Sequence, residues 1–134
     1  FFVTTLLEGG KVPLYGDGLN VRDWLFVLDN CTGVHTVLRE GNVGEVYNIG
    51  AGNEKTNREI TDTILAALGK DESSVEYVED RKGHDRRYSI ATDKAAALGW
   101  APSRTFEQAI DDTIKWYVDH RDWWAPLVQR VKNR

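Results

Sequence analysis

The sequence predicts an α/β fold, and three observations carry that expectation. Short runs rich in β-branched and aromatic residues, each of strand length, alternate with amphipathic stretches bearing their own helix-start signals. Glycines mark most of the junctions between them. At 134 residues, 41% hydrophobic and 28% charged, the chain has the length and composition of one globular unit.

In chain order, Phe1 to Glu8 reads as the last two turns of a helix, stopped by Gly9. Nothing upstream caps that helix and the chain contains no methionine, so the sequence reads as a piece of a longer protein. Val12-Pro13-Leu14-Tyr15 is a short extended segment, followed by a Gly16-Asp17-Gly18 turn. Val21 to Leu28 holds the apolar run Trp24-Leu25-Phe26-Val27-Leu28 and predicts a strand. Asp29 then predicts the N-cap of a helix to about Glu40, with Cys31, Val34 and Leu38 on its buried face. Glu45 to Ile49, bounded by Gly44 and Gly50, predicts a further strand. Thr56 and Glu59 have capping-box spacing and open a helix with Ile60, Ile64, Leu65 and Leu68 inward, closed by Gly69.

Val75 to Val78 predicts a strand, and Tyr88 and Ile90 alternate with polar neighbours as a short strand would. A small helix is expected from Thr92 or Asp93 to Gly99. Thr105 and Gln108 form a second capping box, opening a helix with Phe106, Ile110, Ile114 and Tyr117 inward. Trp123, Trp124, Pro126 and Leu127 make an apolar end-piece, and residues 128–134 read as a basic tail that frays.

A net charge of −4 argues against a general nucleic-acid binder. The lone Cys31 allows no internal disulfide and fits a reducing cytoplasm. No apolar run approaches the ~20 residues of a membrane span. His35, His84 and His120 lack metal-ligand spacing with each other or with Cys31, and no Walker A or G-x-S-x-G pattern occurs. Tyr followed four positions later by Lys, a pair able to act as a base, is also absent.

Against that acidic background stands residues 80–88, Asp-Arg-Lys-Gly-His-Asp-Arg-Arg-Tyr. Four cations and His84 around one glycine either bind an anion, such as phosphate, or form a solvated surface turn. Gly50-Ala51-Gly52 has the start of a dinucleotide fingerprint, with Glu76 and Glu79 near the place of a ribose-binding acid. Lys55 occupies the third glycine position, so a plain glycine turn is the competing account. Asn57 serves either its own helix start or a polar ligand near the positive helix end. Arg22, entering an apolar run, faces either water or an anion.

Taken together, Pro13 to Gly16, Val21 to Trp24, Tyr47 to Gly50, Asn53 to Asn57, Asp80 to Tyr88, Leu98-Gly99-Trp100 and Arg121 to Trp124 resemble one family. The chain is similar, from about residue 1 to 127, to the C-terminal part of the dTDP-glucose 4,6-dehydratase family of extended short-chain dehydrogenases/reductases. Single motifs are shared with sugar-nucleotide epimerases, whereas Gly83 to Tyr88 with the final Trp-Trp is specific.

The resemblance implies the C-terminal nucleotide-sugar-binding region of a Rossmann-type enzyme over residues 1–127. Its NAD-binding N-terminal region and its catalytic residues lie outside this chain. It also implies conversion of dTDP-glucose to dTDP-4-dehydro-6-deoxyglucose, a homodimer, and no part for nucleic acid or membrane. Substrate binding carries over to Pro13, Leu14, Tyr15, Arg22, Asn57 and the loop Asp80, Arg81, Lys82, Gly83 and His84. Lys82 departs from the family's usual proline, Leu28 from a carboxylate and Asn30 from a common histidine. A related epimerase or decarboxylase, and a non-catalytic nucleotide-sugar-binding module, are the alternative readings.

Overall fold

A computed structural model describes residues 1–132. Helix α1 (Phe2–Leu7) leads through Gly9, at φ +75°, to strand β1 (Val12–Tyr15). Gly16 and Gly18 turn the chain with φ of +55° and +71° into β2 (Val21–Asp23). Helix α2 (Val27–Glu40) follows, then β3 (Glu54–Thr56) and α3 (Asn57–Ala67). A 3-10 turn (Glu72–Ser74) opens β4 (Val75–Val78), and helices α4 (Asp93–Ala97), α5 (Phe106–Asp119) and α6 (Arg121–Lys132) complete the fold.

The strands form two separate ribbons. β1 and β4 pair in parallel, with Val12 opposite Val75 and Tyr15 opposite Val78. β2 and β3 pair antiparallel, with Val21 opposite Thr56 and Asp23 opposite Glu54. The core lies where β1 and β4 meet three helices: Leu6 of α1, Val12 and Leu14 of β1, Ile60, Ile64 and Leu65 of α3, and Ile114 of α5. Phe106, Ile110, Tyr117 and Leu68 pack at its edge, as their helical spacing predicts. Both capping boxes form: Thr56 Oγ1 accepts from the Glu59 N–H, and Thr105 Oγ1 from the Gln108 N–H.

Three expectations are corrected. The apolar run 24–28 is not a strand. The chain leaves the β2 ladder after Asp23, and Phe26, not Asp29, precedes the first turn of α2. Asp29 is buried inside that turn, where its carboxylate accepts from the Ser103 N–H (3.1 Å) and hydroxyl (2.6 Å). The buried face of α2 therefore runs through Asp29 and Gly33. A β-carbon at Gly33 would lie 2.6 Å from Ile49 and 3.1 Å from Trp100. This close approach turns Val27, Leu28, Val34 and Leu38 outward, 54–79% exposed, and Cys31 with them.

Second, Glu45 to Ile49 forms no strand, because no ladder partner lies beside it among the described residues. Instead the Asn48 amide donates to the Ala91 carbonyl and Lys94 pairs with Glu45. Third, Tyr88 to Ile90 makes no strand; a single bridge joins Arg87 to Val21. Helix α6 continues to Lys132 through much of the segment expected to fray, with Trp124 buried and Trp123 exposed; residues 133 and 134 lie outside the described residues.

Burial raises the Asp29 carboxyl, but hydrogen bonds from Ser103 and the nearby Arg104 outweigh it and hold its pKa below the ordinary 3.8. A depressed folded pKa stabilises above the ordinary value and is lost as pH falls through the folded one. Asp29→Ala is accordingly expected to cost about 1.5–3 kcal/mol at neutral pH. In urea unfolding, its difference from the parent should shrink only below pH 3.8.

Candidate functional site

Three segments distant in sequence converge on the open end of β1. Gly16 N–H donates to the Val78 carbonyl (2.9 Å), so the ends of β1 and β4 leave the ribbon together. Val21 N–H donates to the Arg86 carbonyl (2.8 Å), and Tyr88 N–H to the Val21 carbonyl (3.1 Å). These two bonds lay the segment after β4 along the free edge of β2. Buried Asn20 fastens the junction: its carbonyl accepts from the Asn57 N–H (3.0 Å), and its side-chain amide donates to the Asp85 carbonyl (3.3 Å).

Between these segments and α5 opens a cleft of about 810 Å³. Its polar end carries Tyr15, Arg22, Asn57, Arg81 and His84, and Pro13 and Leu14 contribute from β1. Phe2, Phe26, Phe106, Ile110 and Tyr117 are among its apolar walls. Asp80 stands behind His84, and Lys82 and Gly83 do not line the cleft. Residues 81–84 form a tight turn closed by the His84 N–H on the Arg81 carbonyl (3.1 Å). Gly83 at its third position has φ +71°, and no atom lies within 4 Å of where its β-carbon would be. The turn geometry, rather than close packing, requires glycine there.

The four cations of residues 80–88 divide into two pairs. Arg86 is bonded to Asp17 (2.8 Å) and Arg87 to Glu54 (2.7 Å). Arg81 has no carboxylate partner among the described residues and lies over the Tyr15 ring at 5.4 Å. No such partner is described for Lys82 either.

Arg22 is likewise without a carboxylate among the described residues, yet it is firmly held. Its Nη1 donates to the Val21 carbonyl (2.7 Å), and its Nη2 to the Asp85 carbonyl (3.0 Å) and His84 Nε2 (3.1 Å). Its guanidinium lies 4.2 Å above the Tyr88 ring. Arg22 is thus a held cation on the wall of the cleft, with no carboxylate bonded to it among the described residues. Tyr88 escaped the sequence reading, because only the bridge at Val21 brings its ring beneath Arg22.

Asn57 stands at the first position of α3, but Thr56 performs the capping. The Asn57 side-chain amide has no partner among the described residues, and it faces the cleft. Gly50-Ala51-Gly52 leads into β3 rather than into a helix, and a β-carbon at Gly50 would collide with the Asp23 carboxylate. Packing against Asp23 and Ile90 demands that glycine, and no dinucleotide cradle is formed. Among the described residues there is no cluster of three metal-ligating side chains, and no helix is long and apolar enough to cross a membrane.

Comparison with known proteins bears on this geometry. A family model described as GDP-mannose 4,6 dehydratase matches residues 2–113. A dTDP-glucose 4,6-dehydratase of Streptomyces antibioticus is 55% identical over 130 residues, covering 96% of this chain and 39% of the relative. The dTDP-glucose 4,6-dehydratase of Bacillus anthracis, solved in complex with NAD, superposes with a TM-score of 0.86 at 54% identity. That match covers 94% of this chain and 40% of that one. DesIV of Streptomyces venezuelae, a dTDP-glucose 4,6-dehydratase solved with NAD and dTDP, gives a TM-score of 0.89 at 51% identity, covering 94% of this chain and 39% of that one. The chain thus spans about two fifths of the length of these relatives.

Tyr88 donates its phenolic proton to Asp85 Oδ2 at 2.5 Å, and that bond raises its pKa above the ordinary 10. Asp85→Asn is expected to bring the Tyr88 titration back down, read from the tyrosine ring resonances in an NMR pH titration.

Proposed function

The chain belongs to the GDP-mannose 4,6-dehydratase family, and from that premise we propose that it is the substrate-binding portion of a dTDP-glucose 4,6-dehydratase. The complete enzyme, a lyase, converts dTDP-glucose to dTDP-4-dehydro-6-deoxyglucose and water in deoxysugar biosynthesis, rhamnose among the products. The observation that carries this reading is Arg22, a cation fixed by three acceptors and an aromatic ring, with no carboxylate partner among the described residues, on the wall of a partly apolar cleft.

In this reading Arg22 meets the diphosphate, and Arg81 approaches it from the turn opposite. Guanidinium forks suit phosphate oxygens, and the two arginines enter from different segments, so together they fix its position. Tyr15, with Pro13 and Leu14, offers the nucleoside an apolar edge, and Asn57 supplies an amide. Asp80, Lys82, Gly83 and His84 complete the loop that closes over the nucleotide.

NAD is the cofactor of the complete enzyme in this reading, as in the two solved relatives. Among the described residues the glycine-rich candidate Gly50-Ala51-Gly52 does not fit it: it packs against Asp23 and opens into a strand. In this reading NAD binding and the chemistry belong to further parts of the full-length enzyme. The outward apolar stripe of α2 and the unpaired segment 45–49 support a further part of that protein packing here. The full enzyme is read as a cytoplasmic homodimer.

Two outcomes test the reading. In the full-length protein, Arg22→Ala and Arg81→Ala should each weaken dTDP binding by ~1.5–3 kcal/mol in calorimetry, the loss expected for charge-assisted hydrogen bonds. Unchanged affinity would remove the phosphate role. Residues 1–134 alone, given dTDP-glucose and NAD⁺, should yield no 4-keto product; its appearance would mean that the catalytic groups are here after all.

A further inference from the structure

His84 is the least exposed side chain of the cationic turn, 6% accessible, and both its ring nitrogens are occupied. Nδ1 lies 2.6 Å from Asp80 Oδ1, and Nε2 lies 3.1 Å from Arg22 Nη2. A guanidinium has only donors, so Nε2 must offer it a lone pair, and the ring proton sits on Nδ1 and is donated to Asp80. Asp80 is itself held by the Arg81 N–H (2.9 Å) and is a close neighbour of Gly16, where β1 and β4 end. The chain Asp80–His84–Arg22 thus runs from the parallel ribbon to the antiparallel one, and no other side chain described links Arg22 to β4. Tyr15, beneath Arg81, meets the imidazole edge-on at 6.2 Å.

We infer that His84 is a positioning residue: held in one tautomer by Asp80, it aims the Arg22 guanidinium at the phosphates and does not itself bond the ligand. This rests on the reading of the cleft as a nucleoside-diphosphate site. Three N–H bonds of Arg22 are spent on Val21, His84 and Asp85, which leaves Nε–H and one Nη1–H without partners among the described residues. Those two lie on different edges of the guanidinium, each a single donor already oriented for a phosphate oxygen. Without His84, Nη2 keeps only the Asp85 carbonyl, and the guanidinium is held by two acceptors in place of three. Part of its ordering then falls to the ligand, and affinity drops.

The imidazole's two nitrogens can be replaced one at a time. Glutamine reaches the place of Nε2 and offers Arg22 an oxygen, whereas asparagine reaches only the place of Nδ1 and keeps the bond to Asp80. Calorimetry on the full-length protein with dTDP and with thymidine, which lacks phosphates, separates the roles. His84→Asn is expected to weaken dTDP about fivefold or more with thymidine unchanged, and His84→Gln to stay within about twofold of the parent. In an Arg22→Ala background, His84→Asn should add nothing, since its effect passes through Arg22. If His84→Asn does not fold, Asp80→Ala carries the same expectation.

Additive losses in the double variant would mean that His84 touches the ligand independently, and equal losses for dTDP and thymidine would mean a packing role. Either result overturns the inference while leaving the proposed function standing. So would parental dTDP affinity in His84→Asn while Arg22→Ala is weakened. Failure of the parent protein to bind dTDP would overturn both.

Discussion

The candidate site depends on strand β2 being hydrogen-bonded along both of its edges. One edge of β2 pairs with β3, and the other takes the Val21–Arg86 and Tyr88–Val21 bonds. A strand of three residues has little stability alone, so the two edges hold each other in place. Arg22 leaves this strand between β3 and the 86–88 segment, which explains how His84, Asp85 and Tyr88 all reach it. Without the second edge, the cationic turn would have no fixed relation to Arg22, and the cleft would lose its polar end.

That arrangement also resolves how an acidic chain carries so dense a group of cations. Arg86 and Arg87 are matched by Asp17 and Glu54, exposed pairs whose worth lies in orientation more than in energy. Arg22 and Arg81 are matched instead by aromatic faces, Tyr88 and Tyr15, which attract a cation without cancelling its charge. The first pair anchors the segment to the fold, and the second lines the cleft. Arg58, by contrast, is bonded to both Glu72 and Asp62, and its pKa is raised accordingly.

The outer face of α2 has a different character. Helix α2 shows Val27, Leu28, Val34 and Leu38 to solvent, and Val43 and Val46 are exposed beyond it. This is the face that the inward approach of Gly33 to Ile49 and Trp100 turned outward. Apolar spacing along a helix reports that a face will be buried, not which body buries it. Cys31, Val34 and Leu38 therefore do share a face, as their spacing implies, but the core of this chain lies on the other side.

Local signals in the sequence determined most of the elements. Two capping boxes, the glycine stops at Gly9, Gly69 and Gly99, and the apolar stripes of α3 and α5 depend on neighbours within a turn or two, and all appear as read. The resemblance to known dehydratases rested on sequence motifs such as Val21 to Trp24 and Asp80 to Tyr88. Tertiary structure decided what depends on a distant partner. Glu45 to Ile49 has strand composition but no described edge to join, and residues 24–28 were claimed by the turn into α2 because Asp29 meets Ser103. It likewise decided which cations stay uncompensated and what orients them. Asp80, His84, Arg22 and Tyr88 are linked by hydrogen bonds and ring contacts across as many as 66 positions, and no local pattern encodes a contact made only when separate strands meet.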